Sequence, residues 1–314
     1  MKKIIFTLLV NMVCMLTMAQ REEIVFTPQW TAQAQFAGYY VAEVKGFYRE
    51  AGLNVRIKHP SASNACINLL KEGKSHIISL HLISAMKHIY AGTPLINILQ
   101  ITQSNSQMII SHKPLKGVES LRGKRVGRWK AGFFELGLFI NNEYNLQVEW
   151  VPFVQNVNLY ITGAIDATIA MSYNEYYQLL MAGQHIDKSQ ILYFRDLGCD
   201  IPEDGLYVST DYYRTHEKEA KAFAQASKRG WEWAAQHPEE TIDIVMEVAK
   251  ANNIKTNRAA QRWMLKEILH AMKDKKSGQR TYQLKKSSFQ HANDILLKNH
   301  TIEKAITYQQ ITKP

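Results

Sequence analysis

The sequence predicts an α/β fold of two lobes, each a mostly parallel sheet flanked by helices, with extra helices at the C-terminal end. Three observations carry that prediction. Short apolar runs alternate with segments of helical period in two successive series. Two turn-rich crossings, His112–Lys124 (HKPLKGVESLRGK) and Asp196–Gly205 (DLGCDIPEDG), separate the two series from each other and the second series from the C-terminal third. After Asp211 the pattern stays helical to the end of the chain.

The first series opens with an apolar strand at Ile24–Phe26. Pro28–Gln35 (PQWTAQAQ) has no strand alternation and contains a proline, so it reads as a loop. Phe36, Tyr39, Tyr40, Val44, Phe47 and Tyr48 then recur at three- and four-residue steps, which is one face of a helix. Gly52 stands where that helix needs a left-handed C-terminal residue. Strands at Asn54–Lys58, His76–Ser79, Leu95–Gln100 and Gln107–Ser111 come next, with helices Ala62–Glu72 and Leu82–Tyr90 between them, closed by Gly73 and Gly92.

In the second series, strands Arg125–Gly127, Val148–Pro152, Ala167–Ala170 and Gln190–Phe194 alternate with helices Phe133–Tyr144, Asn156–Thr162 and Glu175–Ala182. The crossings place residues 20–112 and 206–314 in one lobe and 113–205 in the other, with a cleft between them. Parallel strands need crossover helices and sheets covered on both faces. In such sheets ligands lie at the carboxyl ends of the strands.

Residues 1–19 have a basic start (Lys2, Lys3), an apolar run from Ile4 to Met18 and a small residue, Ala19, at its end. This is the pattern of a cleaved secretory signal peptide, and the run is too short for a span of about 20 residues. The mature chain is expected in the periplasm as a monomer. Cys66 and Cys199 fall in different lobes and are expected to be free, buried thiols. The net charge of +10 is concentrated in Lys250–Pro314, which holds 14 Lys/Arg against 4 Asp/Glu. These charges flank apolar helical stripes such as Trp263, Leu265 and Ile268, so they read as a solvated helical face. No nucleic-acid motif accompanies them. No CxxC or Cys/His metal spacing occurs, nor a GxSxG, HExxH or P-loop motif, and no cofactor is expected.

The opening segment, W30-TAQAQFAGYYVAEVKGFYREAGLNV, resembles the start of the periplasmic binding proteins grouped with the thiamine-pyrimidine synthases, together with the sulfonate- and nitrate-binding proteins. The likeness continues through LKEGKSHI, AGTPL, SLRGKRVG, ITGAIDATIA and SYNEYY, and so covers roughly Ile24 to Val245. It implies a periplasmic binding protein fold of type II. It also implies a solute-binding role beside an ABC permease in the inner membrane, and a thiamine-precursor pyrimidine or similar flat nitrogen heterocycle as ligand.

The loops after the strand ends supply the candidate ligand contacts. Trp30 and Trp129 fall on opposite lobes and are placed to sandwich a flat ring, unless each simply packs its own lobe. Of the adjacent Tyr39 and Tyr40, one belongs to the core and the other reaches the cleft; Tyr39 is the candidate contact. Glu175, at the first turn of a helix just past Asn174, suits either capping or recognition of a ring nitrogen with its amino group. The resemblance implies an acidic residue in this loop. Ser61 and Asn64, with Ser63, precede a helix start and offer either an anion cradle or ordinary caps. His81 follows a strand into the cleft, as a ligand contact or as a packed side chain.

The same resemblance implies that a synthase needs a cofactor-binding lysine and a histidine at positions that fall here on Leu80 and Ser84, and a cysteine cluster where only Cys199 occurs. A binding protein is therefore expected rather than an enzyme. The alternatives are a sulfonate or oxyanion binder and a periplasmic sensor that signals to a membrane receptor.

Overall fold

A computed structural model describes residues 22–312 apart from 62–63, 131–132 and 155–156, so the expected signal peptide lies outside the described residues. The strands are β1 (Glu23–Thr27), β2 (Asn54–Ile57), β3 (Ile77–His81), β4 (Leu95–Gln100), β5 (Gln107–Ser111), β6 (Arg125–Trp129), β7 (Glu149–Phe153), β8 (Ala167–Met171), β9 (Ile191–Tyr193) and β10 (Asp204–Ser209). The helices up to the last crossing are α1 (Ala37–Val44), α2 (Phe47–Glu50), α3 (Cys66–Lys71), α4 (Leu82–Tyr90), α5 (Glu135–Glu143), α6 (Asn158–Ile161) and α7 (Glu175–Met181). Beyond β10 come α8 (Thr210–Thr215), α9 (Glu217–Gln236), α10 (Pro238–Ala251), α11 (Arg258–Ala271), α12 (Lys286–Lys298) and α13 (Tyr308–Thr312).

The strands form two five-stranded sheets, ordered β2-β1-β3-β10-β4 and β7-β6-β8-β5-β9. In each sheet the fourth strand of that order runs against both its neighbours. The other four therefore point the same way. The reversed strands, β10 and β5, are the ones that enter by a crossing from the other sheet. This corrects one boundary. Gln107–Ser111, expected in the first lobe, pairs with β8 and β9 in the second sheet. The crossing thus falls at 101–106, ahead of residue 112. A QMIIS strand buried at all five positions fits the middle of either sheet equally, so only its partners decide.

The first helix is also shorter than its periodicity predicts. Gly46 adopts φ +78° and divides the expected run into α1 and α2. Gly52 takes φ +81°, as its position after the helix requires. The long α9 packs on α1 at a near-contact of backbones. A Cβ added to Gly230 would lie 2.0 Å from the Gly38 carbonyl oxygen, and one added to Gly38 would meet the Trp231 ring at 2.3 Å. Trp231 is fully buried and meets Tyr39 edge-on, with centroids 5.8 Å apart. Tyr39 also packs edge-on against Phe26 at 4.7 Å. Cys66 and Cys199 are buried and free. Among the described residues no helix is long and apolar enough to cross a membrane.

Candidate functional site

The carboxyl ends of the parallel strands in the two sheets face a common seam. On one side stand the loop after β1, the end of β3 at His81 and the start of β10, where Asp204 pairs in register with His81. On the other stand the end of β6 at Trp129, the end of β8 at Met171 and the start of α7. These elements enclose a deep cavity of about 30 Å³ whose walls include Trp30, His81, Trp129, Phe133, Asn174 and Glu175. It opens toward a wider polar space of about 490 Å³ bounded by Thr31, Gln33, Tyr177, Gln178 and the 253–257 loop.

The Trp30 loop is held by a chain of side chains. Trp30 offers only its carbonyl oxygen to His59 Nδ1, 2.6 Å away, so that nitrogen carries the proton. His59 Nε2 is then the acceptor for the Tyr40 hydroxyl at 2.9 Å. Burial lowers the His59 pKa and keeps the ring neutral, which this arrangement needs. Tyr40 therefore positions the loop from the core. Tyr39, the candidate contact, is also in the core, held between Phe26 and Trp231, because α1 buries both faces against β1 and α9.

The two indoles do not face each other across an open slot. Phe133 stands between them, its ring centroid 6.1 Å from Trp30 and 6.1 Å from Trp129, edge-on to both. Its backbone has φ +56°, a region a bulky residue enters only under constraint. Trp129 is buried at the end of β6, and its indole N–H points to Glu175 Oε1 at 3.4 Å.

Glu175 is a buried carboxylate that accepts from three protein donors, the Trp129 indole among them. Oε1 also accepts from Asn174 Nδ2 at 3.1 Å, and Oε2 accepts from the Met171 backbone N–H at 3.0 Å. Burial raises its pKa, opposed by these hydrogen bonds. Asn174 occupies the N-cap position of α7 but makes no side-chain cap bond; it orients Glu175 instead.

A second buried carboxyl group lies behind the seam on the other sheet. Asp204 accepts from Gln29 Nε2, and from Gln35 Nε2 at 3.0 Å. Gln33 in turn donates to Gln35 at 2.6 Å, so the glutamines of the loop after β1 orient one another around this carboxyl group. Burial pushes the Asp204 pKa up to about 7. His81 Nε2 lies 3.6 Å from Asp204 Oδ1, and burial drops the His81 pKa to about 3, leaving a neutral imidazole. The His81 ring rests on Phe133 with centroids 4.6 Å apart.

Ser61 and Asn64 do not join the seam. They form an isolated bridge, with Asn64 N donating to the Ser61 carbonyl at 3.2 Å, and they line neither seam cavity. The helix they precede has only six residues, which makes it a weak anion site. Ser63 lies outside the described residues. Sequence reasoning read the segment containing Asp204 as a crossing between the lobes and singled out neither Asp204 nor Phe133. Gln29 and Gln35, also missed as individuals, were visible only as repeated amides in one loop.

One C-terminal helix closes the seam from outside. Trp263 of α11 donates its indole N–H to the Ser172 carbonyl at 2.8 Å and stacks on Tyr177 at 5.1 Å. On its other side α11 holds the Trp30 loop, where Gln261 Oε1 accepts from Ala34 N at 2.7 Å.

Comparison with known proteins agrees with this architecture. A putative binding protein, YtlA of Bacillus subtilis, is 23% identical over 66% of this chain and 65% of its own length. A putative thiamine biosynthesis protein of Haemophilus influenzae is 24% identical over 99% of this chain and 98% of its own. Matches at similar identity carry names of both kinds. One is a 4-amino-5-hydroxymethyl-2-methylpyrimidine phosphate synthase of Candida albicans (24%, covering 69% of each chain). Another is a formylaminopyrimidine-binding protein of Halalkalibacterium halodurans (22%, covering 69% of this chain and 68% of its own). Among solved structures, the periplasmic aliphatic sulphonate binding protein SsuA of Escherichia coli superposes with a TM-score of 0.66 at 14% identity, over 93% of this chain and 92% of that one. That likeness shows the periplasmic binding protein fold. The family model described as NMT1/THI5 like matches residues 33–241, and the chain belongs to that family.

Proposed function

We propose that this chain is an exported solute-binding protein of an ABC importer. It holds a flat, amino-bearing nitrogen heterocycle of the thiamine-precursor pyrimidine type between its lobes. The observation that carries the proposal is the chemistry of the seam. Trp30 and Trp129 approach from opposite sides, and the buried Glu175 lines the cavity beside Trp129. Asp204 stands behind the lining Gln29 and Gln35, and among the described residues no Lys or Arg lines the deep cavity.

Carboxylates accept hydrogen bonds from amino groups and ring N–H groups, while indole faces stack on flat rings. A sulfonate or other oxyanion would meet Glu175 as a like charge, with no cation in the deep cavity to offset it. The helix start nearest the cavity already carries Glu175 in its first turn, which weakens it further as an anion site. Export rests on the pattern of residues 1–19, and the importer partner on the family. Binding rather than synthesis is supported by Leu80 and Ser84, which offer neither an amine for a Schiff base nor an imidazole. The deep cavity is smaller than a pyrimidine ring, so entry requires the lobes to part at the Phe133 contact, a hinge motion common to two-lobed binders.

Titration calorimetry tests the proposal. The mature protein is expected to bind 4-amino-5-hydroxymethyl-2-methylpyrimidine and to give no heat with an alkanesulfonate or nitrate. Binding of either anion with a silent pyrimidine would overturn it.

A further inference from the structure

Behind Phe133 three buried polar atoms that have no hydrogen-bond partner among the described residues belong to residues that line one small cavity. They are His81 Nε2, Gln107 Oε1 and Glu203 Oε2. Their residues are only 6%, 3% and 2% exposed. Buried polar groups are normally paired, so three orphans around one space call for an occupant. The cavity measures about 20 Å³ and has Ser84, Asn105 and Glu135 among its other walls. That volume suits one water-sized group and no ring. His81 and Phe133 also line the deep seam cavity, so the two spaces share a wall.

The identity of the orphans selects the occupant. Gln107 Oε1 and an ionised Glu203 accept hydrogen bonds and cannot donate, and the neutral imidazole of His81 can offer a lone pair at Nε2. Three acceptors match the three N–H donors of a primary ammonium, whereas a water brings two donors and an anionic oxygen brings none. The charges nearby favour a cation as well. Glu203 Oε1 accepts from the Ser106 N–H at 3.0 Å; the Asp204 carboxyl group stands near it, as does Asp200, which is matched by Lys275 at 2.6 Å. Glu135 is matched by Lys87 outside the cavity. Burial pushes the Glu203 pKa up to about 8, which a bound cation would reverse.

We propose that this cavity is a subsite for a primary ammonium group carried on a short arm by the heterocycle bound at the seam. The inference rests on the reading of the seam as a heterocycle site. It narrows the ligand class to flat nitrogen heterocycles with an aminoalkyl substituent, and it makes Glu203 and Gln107 determinants of specificity, one from each side of the seam.

The test compares 4-amino-5-aminomethyl-2-methylpyrimidine with its 5-hydroxymethyl counterpart by calorimetry at neutral pH, on the wild-type protein and on Glu203→Gln and Gln107→Leu. The aminomethyl compound is expected to bind at least tenfold more tightly to the wild type. Glu203→Gln should remove most of that preference while leaving the affinity for the hydroxymethyl compound within about threefold. Gln107→Leu should reduce the preference in the same direction, and it decides the matter if Glu203→Gln fails to fold. Equal affinities for the two compounds, or a preference that survives in the folded variants, would overturn the ammonium subsite alone. Binding of neither pyrimidine would overturn the seam reading and the subsite together.

Discussion

Asp204→Asn should flatten the acid side of the stability profile. Amides donate to this carboxyl group and a neutral imidazole stands beside it, and burial moves its pKa from 3.8 to about 7. A carboxyl whose folded pKa lies above its unfolded value binds its proton more tightly in the native state. It therefore stabilises the fold fully below about pH 4, and that contribution is lost as the pH rises toward 7. About three pH units at roughly 1.4 kcal/mol each make the loss about 4 kcal/mol. Asparagine keeps the shape and does not titrate. Its Nδ2 faces one of the glutamine donors, which adds a pH-independent cost of about 1–3 kcal/mol. Urea unfolding at pH 4, 5, 6 and 7 reads the difference between wild type and variant. Glu175, also raised by burial, imposes the same slope on both proteins and cancels in that difference. Glu203, raised by burial and in part by the Asp204 charge, loses some of its own slope in the variant and adds to the difference in the same direction. Wild type should lead at pH 4, and the difference should move by up to about 4 kcal/mol in favour of the variant by pH 7. Two parallel profiles would refute the assignment of Asp204 as a buried, proton-holding group.

Glu175→Gln should weaken pyrimidine binding by about 10- to 150-fold, the value of one hydrogen bond to a charged acceptor, as read by calorimetry; unchanged affinity would remove Glu175 from the site. Trp263→Phe keeps the stack on Tyr177 but loses the 2.8 Å bond to the Ser172 carbonyl. A loss of about 1 kcal/mol from the closed form should raise Kd about fivefold, with little change in overall unfolding. Gly230→Ala puts a methyl group against the Gly38 carbonyl and should destabilise the protein by about 3 kcal/mol in chemical denaturation, since a backbone atom on a packed helix cannot yield cheaply.

Local patterns carried most of the fold. Apolar alternation and glycine stops located the strands, and the loops after β1, β6 and β8 were assigned to the seam because strand ends are a local property. The features that escaped notice depend on partners far along the chain. Gln107–Ser111 looks the same in either sheet, and only pairing with Ala167–Met171 assigns it. Asp204 sits in a PEDG turn that is indistinguishable in sequence from a solvated one. Its burial comes from Gln29 and Gln35, more than 160 residues earlier. Phe133 reads as the start of an amphipathic helix, yet its φ of +56° takes it out of the helix and turns its ring between two lobes. Tyr39 and Tyr40 were indistinguishable for the opposite reason. Their helix is covered on both sides, by β1 and by a helix nearly two hundred residues away.

Every role proposed for the seam depends on a flat, donor-bearing nitrogen heterocycle lying there. Mass spectrometry of the small molecules released by denaturing the freshly purified protein tests this without presupposing a ligand. A stoichiometric nitrogen heterocycle with an amino substituent is expected, reduced in protein carrying Glu175→Gln. Recovery of a sulfonate or another anion in stoichiometric amount would contradict it.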